Sequence, residues 1–66
     1  MQIQLNGEVR ELDGEVTLLE LIESLDLAGR RIAVEVNEEI VPRSQHVSQR
    51  LAEGDRVEIV HAIGGG

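Results

Sequence analysis

The residues best suited to chemistry are the three glycines that end the sequence, Gly64, Gly65 and Gly66. They follow the segment VEIVHAI, whose β-branched residues are typical of a strand. Glycine has no Cβ, so its backbone can pass along a narrow channel that any side chain would block. Two interpretations are open from the residues alone. The end is either frayed and without a role, or a flexible tail, residues 64–66, that delivers a reactive carboxylate to an enzyme.

A carboxylate is a poor acylating agent, because it repels nucleophiles and has no good leaving group. An enzyme can activate it with ATP as an acyl-adenylate, which then accepts a sulfur or nitrogen nucleophile. The chain contains no cysteine, so no side chain of its own can carry a persulfide or a thioester. Under the second interpretation the chain is therefore a carrier and a substrate rather than an enzyme.

The remaining polar residues predict no second reactive site. His46 and His61 fall in different predicted elements, and a zinc site needs three or four ligands at suitable spacing, so no metal site is expected. Gly7 and the AEGD segment at 52–55 are typical of turns, since a phosphate-binding loop needs a glycine-rich stretch that opens a helix. No cofactor is expected to bind this chain.

The charge and composition restrict the class of partner. The formal net charge is −7, from 13 acidic and 6 basic residues, and this excess of carboxylates disfavours nucleic acid and anionic membrane surfaces. A positively charged protein partner is expected instead. The absence of aromatic residues excludes base-stacking platforms. No apolar run could span a bilayer and no secretory leader is apparent, so we expect a cytoplasmic protein.

The elements that must position the tail can be read from hydrophobic periodicity. MQIQL alternates apolar and polar residues and predicts a strand, and Asn6-Gly7 predicts a hairpin turn. We expect a three-residue loop that pairs Leu5 with Val9, with a possible bulge in the returning strand EVREL.

One helix is predicted within residues 13–29. Thr17 is a good N-cap and Glu20 completes a capping box, while Gly29 is expected to end the helix. The apolar residues of this segment fall on one stripe that should face a sheet: Leu18, Leu21, Ile22 and Leu25.

The second half of the sequence predicts three further elements. RRIAVEVN alternates and predicts a strand, followed by a turn at Glu38-Glu39 and a short edge strand at 40–42 that ends because Pro42 cannot donate a hydrogen bond. Ser44 is expected to cap a single helical turn. RVEIVHAI is the last strand, with Val57 and Ile59 inward and Glu58 and Val60 outward, and its β-branched composition favours a central position beside the first strand.

These elements predict one layer of sheet and one of helix. The fold class is α+β, a β-grasp (ubiquitin-like) arrangement with a mixed sheet of four to five strands and one main helix across one face. Residues 1–63 form the domain and residues 64–66 the tail. Val60, Ala62 and Ile63 extend apolar character beyond the inward pair, and they are either a partner docking surface or the end of the core.

The whole chain resembles the ThiS sulfur carrier family of thiamine biosynthesis. The stretches that carry the resemblance are MQIQLNGE, TLLELIESL, AVEVNEEIVPRSQH and LAEGDRVEIVHAIGGG. The glycine end is only moderately specific by itself, but its combination with VNEEIVPRS and GDRVEIV in this order is specific. Many family members carry an aromatic residue near the tail, where this chain has Ala62 and Ile63.

The resemblance implies a carrier role. An E1-like adenylyltransferase of the ThiF type would adenylate the carboxylate of Gly66 with ATP. A desulfurase system would supply sulfur, ultimately from a cysteine persulfide, to give a Gly66 thiocarboxylate. Thiazole synthase would then use that sulfur to build the thiazole ring, with Gly64, Gly65 and Gly66 entering the partners' active sites.

Two other functions remain open from the sequence. One is sulfur transfer in another pathway, such as molybdopterin synthesis, whose small subunit is a related thiocarboxylate carrier. The other is a ubiquitin-like modifier joined to target lysines through the same glycine end.

Overall fold

The computed structural model describes residues 1–62. Ile63, Gly64, Gly65 and Gly66 lie outside the described residues, and so does the predicted boundary between the domain, 1–63, and the tail, 64–66. No helix in residues 1–62 is long and apolar enough to cross a membrane.

The chain forms a five-stranded mixed sheet with one α-helix, as the sequence predicts. The elements in chain order are β1 (Gln2–Leu5), β2 (Glu8–Glu11), α1 (Leu18–Ser24), β3 (Ile32–Val36), β4 (Glu39–Ile40), a 3₁₀ helix (Arg43–Gln45) and β5 (Arg56–His61). The strand order is β2-β1-β5-β3-β4. β1 and β5 pair in parallel, and the other neighbours are antiparallel. The predicted central position of the last strand, beside the first, is confirmed.

The core lies between α1 and one face of the sheet. Val57 and Ile59 of β5 are buried, and the residues between and after them point outward, as predicted. The helix stripe is buried against the sheet, with Leu25 packed partly buried at its edge. The buried apolar cluster consists of Ile3, Leu5, Leu18, Leu21, Ile22, Val34, Val36, Val41, Leu51, Val57 and Ile59.

The first hairpin has a tighter turn than the sequence predicts. Leu5 pairs with Glu8, not with Val9, so the loop contains only Asn6 and Gly7. Both have positive φ, 50° and 85°, as a two-residue type I′ turn requires. The three-residue loop was wrong because β2 is exposed along its whole length, so no buried side chain of β2 fixes the register.

The start of α1 is confirmed as predicted, and all four of its first N–H groups have acceptors. The Thr17 side chain accepts from the Glu20 N–H at 3.2 Å, and the Glu20 carboxylate accepts from the Thr17 N–H at 2.8 Å. The N–H groups of Leu18 and Leu19 donate to the carbonyls of Gln49 and His46, and that of Leu21 donates to the Thr17 carbonyl. A helix this short depends on such partners, since its end would otherwise leave donors unpaired.

The helix ends earlier than the predicted stop at Gly29. Asp26 takes a φ of 61° directly after the cap residue Leu25. The N–H of Asp26 then donates to the Glu23 carbonyl and that of Leu27 to the Ile22 carbonyl. This pair of bonds is the Schellman arrangement. Asp tolerates the left-handed conformation better than most residues, so a glycine is not needed.

Two further turns differ from prediction. The β3–β4 turn is formed by Asn37 and Glu38, with φ of 52° and 70°, and Glu39 already belongs to β4 and pairs with Val36. Ser44 lies inside the 3₁₀ helix, whose N-cap position is Pro42 with no side-chain cap. The predicted turn at Glu38-Glu39 and the predicted Ser44 cap are therefore wrong by one or two residues.

The side chains of two turn asparagines extend the hydrogen bonding of β5. Asn6 accepts from the Ile59 N–H at 2.8 Å and donates to the Ile59 carbonyl at 3.2 Å. On the other side, Asn37 accepts from the Arg56 N–H at 3.0 Å and donates to the Asp55 carboxylate at 3.0 Å. Each side-chain amide accepts a hydrogen bond from a β5 backbone N–H, as the backbone of a neighbouring strand would. The two asparagines therefore add to the hydrogen bonds that hold β5 on its two edges.

We expect Leu21→Ala to lower the free energy of unfolding by about 2–5 kcal/mol, because Leu21 is 1% exposed and its loss leaves a cavity. Urea denaturation followed by circular dichroism measures the change. Glu23→Ala, on the exposed side of the same helix, is the control and should change stability by less than about 0.5 kcal/mol. A loss of under about 1 kcal/mol for Leu21→Ala would mean that this face does not carry the core.

We expect Asn6→Gly to lower the free energy of unfolding by about 1–3 kcal/mol, because the buried part of Ile59 loses its amide partner. Glycine keeps the left-handed turn, so the loss reports on the side-chain hydrogen bonds. Asn6→Ala should lose about 1 kcal/mol more, since alanine also strains a positive φ. Equal stability of Asn6→Gly and the unaltered protein in the same urea titration would contradict this role.

Candidate functional site

The last described residue, Ala62, stands two positions before the predicted functional tail, residues 64–66. β5 ends at His61, and the Ala62 N–H donates to the Arg31 carbonyl at 3.0 Å. The backbone is thus held beside the start of β3 up to the last described residue. The predicted sulfur-bearing residue Gly66, the tail residues Gly64 and Gly65, and the predicted docking residue Ile63 lie outside the described part of the chain.

The last described residues of the chain belong to or directly follow the central strand. β5 pairs with β3 along five residue pairs, from Ile32 opposite His61 to Val36 opposite Val57. On its other edge it pairs with β1 and with the Asn6 side chain. β5 is bonded on both edges from Arg56 to Ile59, and from Val60 to Ala62 the chain is held on one edge, by β3 and the Arg31 carbonyl.

The predicted docking residues Val60 and Ala62 are both exposed. Val60 is 57% exposed and stands opposite Ala33 on the face of the sheet away from α1. Ile40, 74% exposed, lies on the same face across from Glu35. We call Ala33, Ile40 and Val60 the outer-face patch. The alternative that Ala62 completes the core is wrong, because Ala62 is exposed.

Two carboxylates, those of Glu35 and Glu58, lie among the apolar residues of the outer-face patch. Glu35 and Glu58 are directly opposite each other in the β3–β5 register. Like charges at such positions destabilise a sheet by a fraction of a kcal/mol. A partner with a basic side chain at this place would relieve that repulsion, and this agrees with the positively charged partner expected from the net charge.

A groove beside Ala62, on the side of the sheet that α1 covers, was not predicted from the sequence. It has a volume of about 300 Å³ and lies between the end of α1, residues 27–32 and the region of the 3₁₀ helix. Arg30, Arg31 and Arg43 surround it, and Ala62 forms part of its wall. The adjacent arginines Arg30 and Arg31 were the sequence signal for a basic site. The sequence does not show which distant residues lie beside them in the fold.

The histidines lie apart, as predicted. His46 is buried at 7% exposure, and its Nε2 lies 3.0 Å from the Val41 carbonyl oxygen. A carbonyl only accepts, so Nε2 carries the proton and donates. His61 is exposed on β5. In residues 1–62, no three His, Cys, Asp or Glu side chains are grouped so that they could hold a metal ion.

Comparison with known proteins supports the resemblance over the whole length. The model of the ThiS family matches residues 3–66. The sulfur carrier protein ThiS of Escherichia coli is 33% identical over 66 residues, which is all of both chains. A thiazole synthase of Paramagnetospirillum magneticum is 41% identical over 66 residues. This chain spans about a fifth of the length of the two thiazole synthases that it matches.

The fold agrees as well. The crystal structure of a thiamine biosynthesis protein (ThiS) from Geobacter metallireducens superimposes with a TM-score of 0.87 and 30% identity, over the full length of both chains. This confirms the predicted β-grasp arrangement. Since the family model covers residues 3–66 and a third of the residues are shared with a full-length ThiS protein, the chain belongs to the ThiS family.

Proposed function

We propose that this chain is a sulfur carrier of thiamine biosynthesis and that the carboxylate of Gly66 is its reactive group. The observation that carries the proposal is the match to ThiS proteins along the whole chain, including the glycine end. The chain has no cysteine, so no side-chain thiol can carry a persulfide, and this supports the terminal carboxylate as the carrier group. It acts as carrier and substrate in the cytoplasm, and its partners perform the catalysis.

The chemistry follows from the weak reactivity of a carboxylate. An E1-like adenylyltransferase of the ThiF type joins a Gly66 carboxylate oxygen to the α-phosphorus of ATP, and pyrophosphate leaves. A persulfide sulfur from a desulfurase system then attacks the acyl carbon, and AMP leaves. A thiol then attacks the donor's sulfur in this acyl disulfide, so a new disulfide forms with the donor and the Gly66 thiocarboxylate leaves. ATP belongs to the partner's site, and this chain binds no cofactor of its own.

The role of the three glycines is access. The acyl carbon of Gly66 must reach the reacting atoms inside a partner, and Gly64 and Gly65 present no side chain to block the way. The pairing of β5 with β3 supports the proposal, because it anchors the chain before the tail. Thiazole synthase is the proposed acceptor of the sulfur, since in two relatives a region like this chain is part of a thiazole synthase.

The outer-face patch is the proposed docking surface beside the tail. Val60 offers exposed apolar area on the outer face, and Ala62 and Ile63 are the apolar residues that follow it in the sequence. Glu35 and Glu58 offer charge to a basic partner. Apolar side chains beside carboxylates let a basic partner combine apolar contact with complementary charge.

We expect intact Gly66 to gain the mass of one sulfur in place of one oxygen when the chain is incubated with the adenylyltransferase, ATP and a sulfur donor. Mass spectrometry of the whole chain measures the change. A variant with one alanine added after Gly66 is the control and should gain nothing, because the Gly66 carboxylate becomes a peptide amide and the new terminal residue carries a side chain that a narrow channel would block. An unchanged mass, with a partner shown to be active on another carrier, would contradict the proposal. Gly66-dependent conjugates to lysine would favour a modifier.

We expect Val60→Asp to weaken binding of the adenylyltransferase about tenfold, because a charge replaces an apolar contact at the centre of the docking surface. Val9→Asp is the matched control. Val9 is a valine of similar exposure, 66% against 57%, on the edge strand β2 away from the tail. Titration calorimetry measures both. Equal affinities of the two variants would exclude the outer-face patch as the docking surface.

A further inference from the structure

The groove beside Ala62 differs in charge from the rest of the molecule. Three of the chain's six basic residues surround it. Of the residues that the structure describes, no aspartate or glutamate lines it, although the sequence has 13 acidic residues. The net charge of the chain is −7, and salt screens the field of a small positive cluster over longer distances. The arginines therefore attract a partner's carboxylates only at contact distance.

The three groove arginines have no ion-pair partner within residues 1–62. The ion pairs in that part of the chain join Arg50 to Glu15 and Arg56 to Glu38. Arg30, Arg31 and Arg43 are all exposed. Their guanidinium groups are available for bidentate hydrogen bonds to carboxylates, which are stronger than neutral hydrogen bonds.

The groove also has an apolar floor. Ile22 is buried at its base, and Leu27 and Ile32 are half-buried along its sides. Val47 is 63% exposed at its rim. An apolar centre surrounded by arginines is characteristic of protein interfaces, where arginine is enriched and carboxylates are depleted. A volume of about 300 Å³ is enough for a short segment with one apolar side chain.

The position of the groove connects it to the tail. Ala62 lines the groove and is bonded to Arg31 through its N–H. Any protein that receives the residues after Ala62 must approach this end of the sheet. The groove and the outer-face patch lie on either side of the point where the tail begins, so one partner can contact both.

We propose that the groove binds an acidic segment of thiazole synthase, an apolar side chain flanked by carboxylates, when that enzyme receives the tail. This inference rests on the proposed sulfur-carrier function. A second copy with the groove on a two-fold axis is disfavoured as the occupant, because that dimer would place two arginine clusters against each other. The overall negative charge steers basic parts of a partner, whereas the groove selects an acidic segment at close range.

The first test reverses the charge of the groove. We expect Arg31→Glu/Arg43→Glu to weaken binding to thiazole synthase from the same organism about tenfold or more, because two carboxylate contacts become repulsions. Arg10→Glu/Arg50→Glu changes the net charge equally at exposed sites outside the groove, and its affinity should stay within about threefold. Arg31→Lys/Arg43→Lys should restore part of the affinity, since lysine keeps the charge but not the bidentate geometry.

The second test locates the contact without altering charge. The chain has no cysteine, so Val47→Cys and Val9→Cys each carry a single thiol on an exposed valine position. We expect saturating thiazole synthase to abolish iodoacetamide labelling of Val47→Cys and to leave that of Val9→Cys unchanged, as read from the mass of the carrier. Unchanged labelling of Val47→Cys in the complex would overturn the proposal.

The controls separate this inference from the sulfur-carrier function. Deleting Gly65 and Gly66 should weaken binding through loss of the tail, and the unaltered chain should gain sulfur, whatever the groove does. If both of these results are obtained and the two charge-reversal variants bind thiazole synthase with equal affinity, the groove proposal is wrong and the sulfur-carrier proposal stands. A dimer in sedimentation experiments that Arg31→Glu/Arg43→Glu dissociates would assign the groove to a second copy and overturn the proposal. A shift of the Gly66 amide resonance in this variant without any partner would assign the groove to the tail and also overturn the proposal.

Discussion

The structure depends on the hydrogen bonding of β5 along both of its edges. β1 and β3 flank this strand, and the side chains of Asn6 and Asn37 continue the pairing where the backbone of each neighbour turns away. The constraint matters because β5 leads directly to the tail. Under the proposed function, a terminal segment of glycines has no side chains with which to position itself, so its delivery would depend on the strand before it.

The same strand separates two surfaces of different character. On the outer face, Val60 is exposed next to the facing carboxylates Glu35 and Glu58. On the other side, Ala62 leads into a groove surrounded by arginines. Both surfaces border the end of β5. Under the proposed function, a partner that accepts the tail would be recognised by complementary charge on two sides, which favours correct orientation over attraction by net charge alone.

Much of the fold could be predicted because the signals are local or strongly periodic. The capping box of α1 involves residues three apart, and the inward pair Val57 and Ile59 alternates with exposed residues. The register of the first hairpin could not be predicted from burial, because β2 buries none of its residues. The end of α1 was missed because Asp26, rather than a glycine, adopts the left-handed conformation there.

The sequence by itself determined the β-grasp class, the inward faces of helix and strands, and the glycine end as the candidate reactive group. These follow from residue types and short spacings, which act before the chain is folded. Only the tertiary structure decided that Arg31, Arg43 and Ala62 share a groove with the end of α1. It also decided that Asn6 bonds Ile59. These contacts join residues that are far apart in the chain. No local sequence pattern specifies which distant backbone groups or charged side chains come together when the sheet forms.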